Sequence, residues 1–170
     1  MLEDYLTNEV ENWAVIGHPA LMQRFVLRNG QRYGGRRRIG RRGMAKQCFM
    51  NATKRVLHNP RAYIDGWRYV EGYAINRDTP LMAIHHAWVT TNGSDAMDPT
   101  LDATKYDYFG VAFDKPTLVG QLRQQKYYGM LDTGLGLNWQ LMFELDPELR
   151  TIVEKIKPIP AWERAVALCE

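Results

Sequence analysis

Three residues of this chain have types and placements suited to nucleophilic chemistry: Cys48, His86 and Asp98. The stretch HHAWVTTNGSDAMDPT, residues 85–100, reads as two short strands around Asn92-Gly93, a strong hairpin signal. His86 and Asp98 are nearly symmetric about that turn. They are expected to be near cross-strand neighbours, with the register open by one or two residues. Such a pair uses one ring nitrogen on the carboxylate and offers the other to a nucleophile. Cys48 is the candidate nucleophile, because it lies near the start of a helix that follows a glycine-bounded loop. The unpaired N–H groups at a helix N-terminus favour a thiolate placed there and can donate to an oxyanion.

Each assignment has a competitor. A cysteine on a helix face is often only a small buried hydrophobe. His85 adjoins His86, but successive strand residues point to opposite faces, so only one can join Asp98. Asp95 and Asp102 stand close to Asp98 in sequence. Gln47 is a candidate lining of the oxyanion site, and Tyr73 and Trp88 are candidate cleft walls, although a strand tryptophan is more often core. Trp13, Gln23 and Gln31 are the candidates for a second oxyanion donor. His18 and His58, before Pro19 and Asn59-Pro60, read as capping groups, and Cys169 as incidental.

The elements that must position these residues follow from periodicity. Leu2, Tyr5, Leu6, Val10, Trp13 and Ala14 recur at helical spacing and predict a helix over 3–16. A second helix is expected over 20–28, between Pro19 and Gly30. Residues 30–43 then read as a glycine- and arginine-rich loop, and 44–58 as the helix that carries Cys48, Phe49, Ala52 and Val56. From residue 63 the pattern turns to strands: GWRYVEGYAIN, LMAIHHAWVTT, DAMD and YDYFGVAF. Helices are expected again from Pro116 to about Lys126, over 146–156 and over 160–169. Helices, an antiparallel meander and helices again make an α+β pattern.

Composition narrows the class. A chain of 170 residues, 45% hydrophobic and 11% aromatic, suits a single domain with a packed core. Within it we expect an N-terminal helical part (1–33), a basic loop (34–43), a catalytic core (44–113) and a C-terminal helical part (114–170). No apolar run is long enough to span a bilayer. The acidic, amphipathic start MLEDYLTNEVENW is unlike a secretory signal, so a cytoplasmic protein is the expectation. Two cysteines give neither a disulfide scaffold nor a metal-site spacing. The net charge of +3 includes +5 from Arg36, Arg37, Arg38, Arg41 and Arg42, which leaves −2 for everything else. That run reads either as a solvated loop or as a surface for an acidic protein or nucleic acid. Tyr33 is the only aromatic beside it, so base stacking is poorly supported.

HAWV followed by DPT, preceded by VEGYA and by KQC at a helix start, resembles the transglutaminase-like branch of the papain-like cysteine enzymes. The likeness spans roughly residues 44–113. It implies a catalytic helix packed on an antiparallel sheet, a triad on Cys48, His86 and Asp98, no metal or cofactor, and a protein or peptide substrate. The activities it implies are amide hydrolysis or amine transfer through a thioester. The rival expectation is a non-enzymatic binding or inhibitor protein that uses the arginine run.

Overall fold

The computed structural model describes residues 2–36, 42–60, 64–132 and 136–156. Its elements are α1 (Leu2–Val15), α2 (Leu21–Asn29), β1 (Gln31–Gly35), α3 (Cys48–Leu57), β2 (Arg68–Asn76), β3 (Ile84–Thr90), β4 (Asp95–Ala96), β5 (Tyr106–Phe113), α4 (Lys115–Gln125), α5 (Trp139–Leu145) and α6 (Pro147–Glu154). A 3₁₀ turn, Ala103–Lys105, leads into β5. The architecture is α+β, with six helices among the described residues and one five-stranded mixed sheet.

The sheet is not a meander. Its order is β3-β2-β5-β1-β4, and β1 pairs antiparallel with β5 but parallel with β4. The sheet curls until its two edges meet, where Val89 and Met97 exchange backbone hydrogen bonds of 3.1 and 2.8 Å. Alternation along the strands then separates two cores. Val70, Ala74, Trp88, Tyr108 and Tyr33 face the concave side. Tyr69, Tyr73, Ala87, Val89, Val111 and Phe113 face outward against the helices, where Leu6, Phe25, Ala52, Val56 and Leu118 are fully buried.

Several boundaries depart from the sequence expectation for physical reasons. Residues 31–35, expected as loop, form a strand, because their glycines let the backbone approach its neighbours. A Cβ on Gly35 would collide with the Ala103 carbonyl. The cysteine helix begins at Cys48 rather than at 44. Lys46 has φ of 61°, a left-handed conformation that a helix does not admit. Helix α5 was not anticipated; Asn138 starts it by accepting the Leu141 N–H at 3.2 Å. Asp146 holds the expected N-cap position of α6, but its side chain makes no capping bond and receives Arg28 Nε at 2.6 Å and Asn29 Nδ2 at 3.0 Å. The helix expected over 160–169 lies outside the described residues. No described helix is long and apolar enough to cross a membrane.

Candidate active site

Cys48 is the first residue of α3, and Gln47 holds the N-cap position. The Gln47 carbonyl serves Asn51 N–H at 2.8 Å, and its side chain makes no capping bond. The amides of Cys48, Phe49 and Met50 therefore lack intrahelical acceptors, as the first amides of any helix do. Cys48 itself is half-buried. Helix α3 packs on the convex side of β2 and β3, through Ala52 and Val56.

His86 lies on β3, opposite Gly72 of β2. Its ring faces the concave side, stacked on Trp88 at 6.4 Å and tilted against Tyr108 at the same separation. Only 3% of His86 is exposed, yet its Nε2 meets Asp98 Oδ2 at 2.6 Å. The Cys48 side chain is close enough to the same ring to favour its charged form. With Nε2 committed to Asp98, Nδ1 is the nitrogen left for the thiol. Imidazole and carboxylate are thus hydrogen-bonded, with the sulfur near the ring.

Asp98 is fully buried, and its acceptors are well used. Oδ2 takes His86 and the Tyr108 hydroxyl at 2.9 Å, while Oδ1 takes the amides of Thr100 at 2.6 Å and Leu101 at 2.9 Å. Burial works to raise its pKa, but the hydrogen bond and charge of His86 and the two amides outweigh that and hold it below the ordinary carboxylate value. For His86, burial works to lower the pKa. The bond to Asp98 and the nearness of Cys48 override it and push the ring up to about 9. At neutral pH the ring is then an imidazolium, donating to Asp98.

The register differs from simple symmetry about Asn92-Gly93. The Val89–Met97 bridge sets Asp98 across from Trp88, two residues from His86. The side chains meet diagonally along the concave face. The connection is also longer than a two-residue turn: Asn92 Oδ1 caps it by accepting the amides of Ser94 and Asp95, each at 3.0 Å.

The other candidates lie elsewhere. His85 faces the convex side and bonds Glu71 Oε1 at 3.0 Å. Asp95 pairs with Arg36 at 2.5 Å, and Asp102 accepts the Thr104 hydroxyl at 2.7 Å. Trp88 is fully buried beside Tyr33 and Tyr108, a core residue beneath the site rather than a cleft wall. Tyr73 is 6% exposed and packs on His85, on the opposite side of the sheet from His86. Gln47 is exposed beside Cys48. Trp13 packs on His18, and the Gln31 amide is engaged with the Gly93 carbonyl. His18 Nδ1 accepts the Ala20 N–H at 3.1 Å, and His58 occupies the C-cap of α3. Within the arginine run, Arg36 is paired with Asp95, and Arg42 Nε donates to the Thr100 carbonyl at 2.8 Å. Arg37, Arg38 and Arg41, like Cys169, lie outside the described residues.

Two supports escaped the sequence reading. Asn51, one turn beyond Cys48, donates to Thr100 Oγ1 at 2.9 Å and to the Met44 carbonyl at 2.7 Å, and accepts the Met44 amide at 3.1 Å. It fastens the Asp98 loop and the approach to Cys48 to one helix. Gly43 fits there because any side chain would strike Asn51, and its amide bonds the Pro99 carbonyl at 2.7 Å. The second support is Glu71, fully buried on the convex side. It receives Tyr69 OH at 2.7 Å and the consecutive amides of Met130, Leu131 and Asp132 at 2.6, 3.0 and 3.1 Å. Burial opposes its charge, but His85, Tyr69 and these amides hold its pKa below the ordinary value. A polar residue in the buried phase of its element, such as Asn51 in α3 or Glu71 between Tyr69 and Tyr73, was the signal available.

No cluster of three or more His, Cys, Asp or Glu side chains among the described residues is arranged to hold a metal ion. Comparison with protein-family models, curated proteins and solved structures returned no match.

Proposed function

We propose that this chain is a cysteine-dependent acyl-transfer enzyme of the transglutaminase-like type, acting on an amide through a thioester. The observation that carries the proposal is the buried chain Cys48–His86–Asp98, in which a fully bonded carboxylate sustains an imidazolium beside a sulfur at a helix start. The Cys48 thiolate attacks the carbonyl carbon, forming the S–C bond and an oxyanion, with the Cys48 amide as a donor to it. The oxyanion collapses and the C–N bond breaks. His86 gives its Nδ1 proton to the departing amine and becomes neutral. Water or a second amine then attacks the thioester while His86 takes back a proton, and the thiolate leaves. Asp98 stays ionised and keeps Nε2 protonated throughout. Water as acceptor gives a hydrolase; an amine gives a cross-linker or amine transferase, as far as the closed site excludes water.

Alkylation by iodoacetamide at pH 6 tests this reading. Cys48 is expected to react at least about tenfold faster than Cys169, and His86→Ala to remove the difference. Equal, slow labelling of both cysteines would favour a binding protein instead.

A further inference from the structure

A cavity of about 650 Å³ lies along α3, lined by residues between Gly43 and Trp67 and by Pro99, but not by Cys48 or His86. A smaller one, about 210 Å³, is lined by Lys46, Gln47, Phe49, Met50, Tyr127 and Tyr128, among others. These residues flank Cys48 on both sides in sequence, so the hollow lies at the first turn of α3, although Cys48 itself does not line it.

Its walls are unequal. Phe49 is fixed by the His85 ring at 4.9 Å. The opposite wall is loop, but its backbone is held at several points. Thr53 Oγ1 bonds the Tyr128 carbonyl at 3.3 Å, Asn138 Nδ2 bonds the Met130 carbonyl at 2.9 Å, and Glu71 gathers the three amides that follow Gly129. On this clamped backbone the rings of Tyr127 and Tyr128 are left 39% and 41% exposed. Burying them against the core is what an apolar chain does by default; a rigid backbone that presents both rings outward beside a nucleophile has the makings of a recognition surface. Lys46, at the rim, keeps a left-handed φ of 61° without being glycine, a strain of the kind retained at ligand sites.

The geometry points to this hollow as a substrate subsite that takes an aromatic or long apolar side chain next to the reactive carbonyl of the acyl donor. The inference rests on the acyl-transfer reading above. Two aromatic rings, Phe49 and the Met50 thioether offer stacking and polarisable contact, which suit an aromatic group better than a charged one. Glu71 acts as a positioning residue for one wall.

Two chloromethyl ketones provide the test, acetyl-phenylalanyl and acetyl-glycyl. In each, the thiolate displaces chloride to leave a thioether. Rates at Cys48 are read by mass spectrometry and divided by each reagent's rate with glutathione. Wild type is expected to prefer the phenylalanyl reagent by about tenfold or more, the lower range for an apolar pocket. Tyr127→Ser/Tyr128→Ser is expected to bring the preference to near unity. A wild type without preference, or a double variant that keeps it, overturns the subsite. If iodoacetamide labels Cys48 no faster than Cys169, the acyl-transfer reading falls, and the subsite with it.

Discussion

Asp98→Asn is the perturbation whose consequences can be worked furthest. The new amide oxygen still accepts the N–H groups of Thr100 and Leu101, so the loop keeps its anchor. The amide nitrogen then faces His86 Nε2, which must become an acceptor. The ring proton moves to Nδ1, and the imidazolium loses its carboxylate. Burial lowers the His86 pKa, and of the two groups that oppose it only Cys48 remains, so the pKa falls from about 9 towards the ordinary 6.5. At pH 7.5 the ratio of imidazolium to neutral ring drops from about 30:1 towards about 1:10, up to roughly 300-fold. The misplaced tautomer adds to this, and comparable changes in triads cost up to about 10⁴. The acylation rate of Cys48 is expected to fall between these figures. Tyr108→Phe, which removes one of the four hydrogen bonds to the Asp98 carboxylate, serves as the control, with a cost of about 2 kcal/mol in stability and little in rate. The assay is stopped-flow acylation, paired with an NMR titration of the His86 ring. An Asp98→Asn variant that keeps a tenth of the rate, or a ring still titrating near 9, would refute the reasoning.

Other expectations follow from the same geometry. Because the folded-state pKa of His86 lies above the unfolded value, its contribution of about 3 kcal/mol is complete below pH 6.5 and is lost as pH rises towards 9. Urea titrations across that window should show the decline in wild type and a flatter profile in Asp98→Asn. Asn51→Ala breaks one bond to the Asp98 loop and two to Met44 ahead of Cys48, and should lower the acylation rate about 10- to 100-fold with little change in KM. Glu71→Gln turns an acceptor into a donor facing Tyr69 OH and the Met130 amide, and should cost about 3 kcal/mol in urea unfolding. His85→Ala should cost far less activity than His86→Ala. Arg37→Gln/Arg38→Gln/Arg41→Gln should raise KM for an acidic substrate and remove its salt dependence, whereas Arg42→Gln, which frees the Thr100 carbonyl, should lower the rate itself.

What the sequence disclosed, and what it hid, divides along local and non-local lines. The strand 106–113 and the existence of a helix through Cys48 are set by patterns within a dozen residues, and both were legible, although that helix was expected to begin at 44. Strand β1 was not, because glycine reads locally as a breaker, while Gly35 is there for close approach to Ala103, far along the chain. The order β3-β2-β5-β1-β4 follows from that hidden strand, which enters between β5 and β4 and makes the sheet mixed. His86 and Asp98 could be named from their spacing, but not their two-residue offset, which the Val89–Met97 bridge decides. The bonds of Asn51 to Met44 and Thr100 exist only once helix and loop are docked, so only its place in the buried phase of α3 hinted at them.

Acylation by p-nitrophenyl acetate tests the central claim most directly, with intact-mass and peptide-level detection of the product. The account predicts a burst of one acetyl group per chain, located on Cys48, released by hydroxylamine as a thioester is, and absent from His86→Ala. Acetyl groups confined to lysines or Cys169, or a Cys48 adduct that forms equally fast without His86, would contradict it.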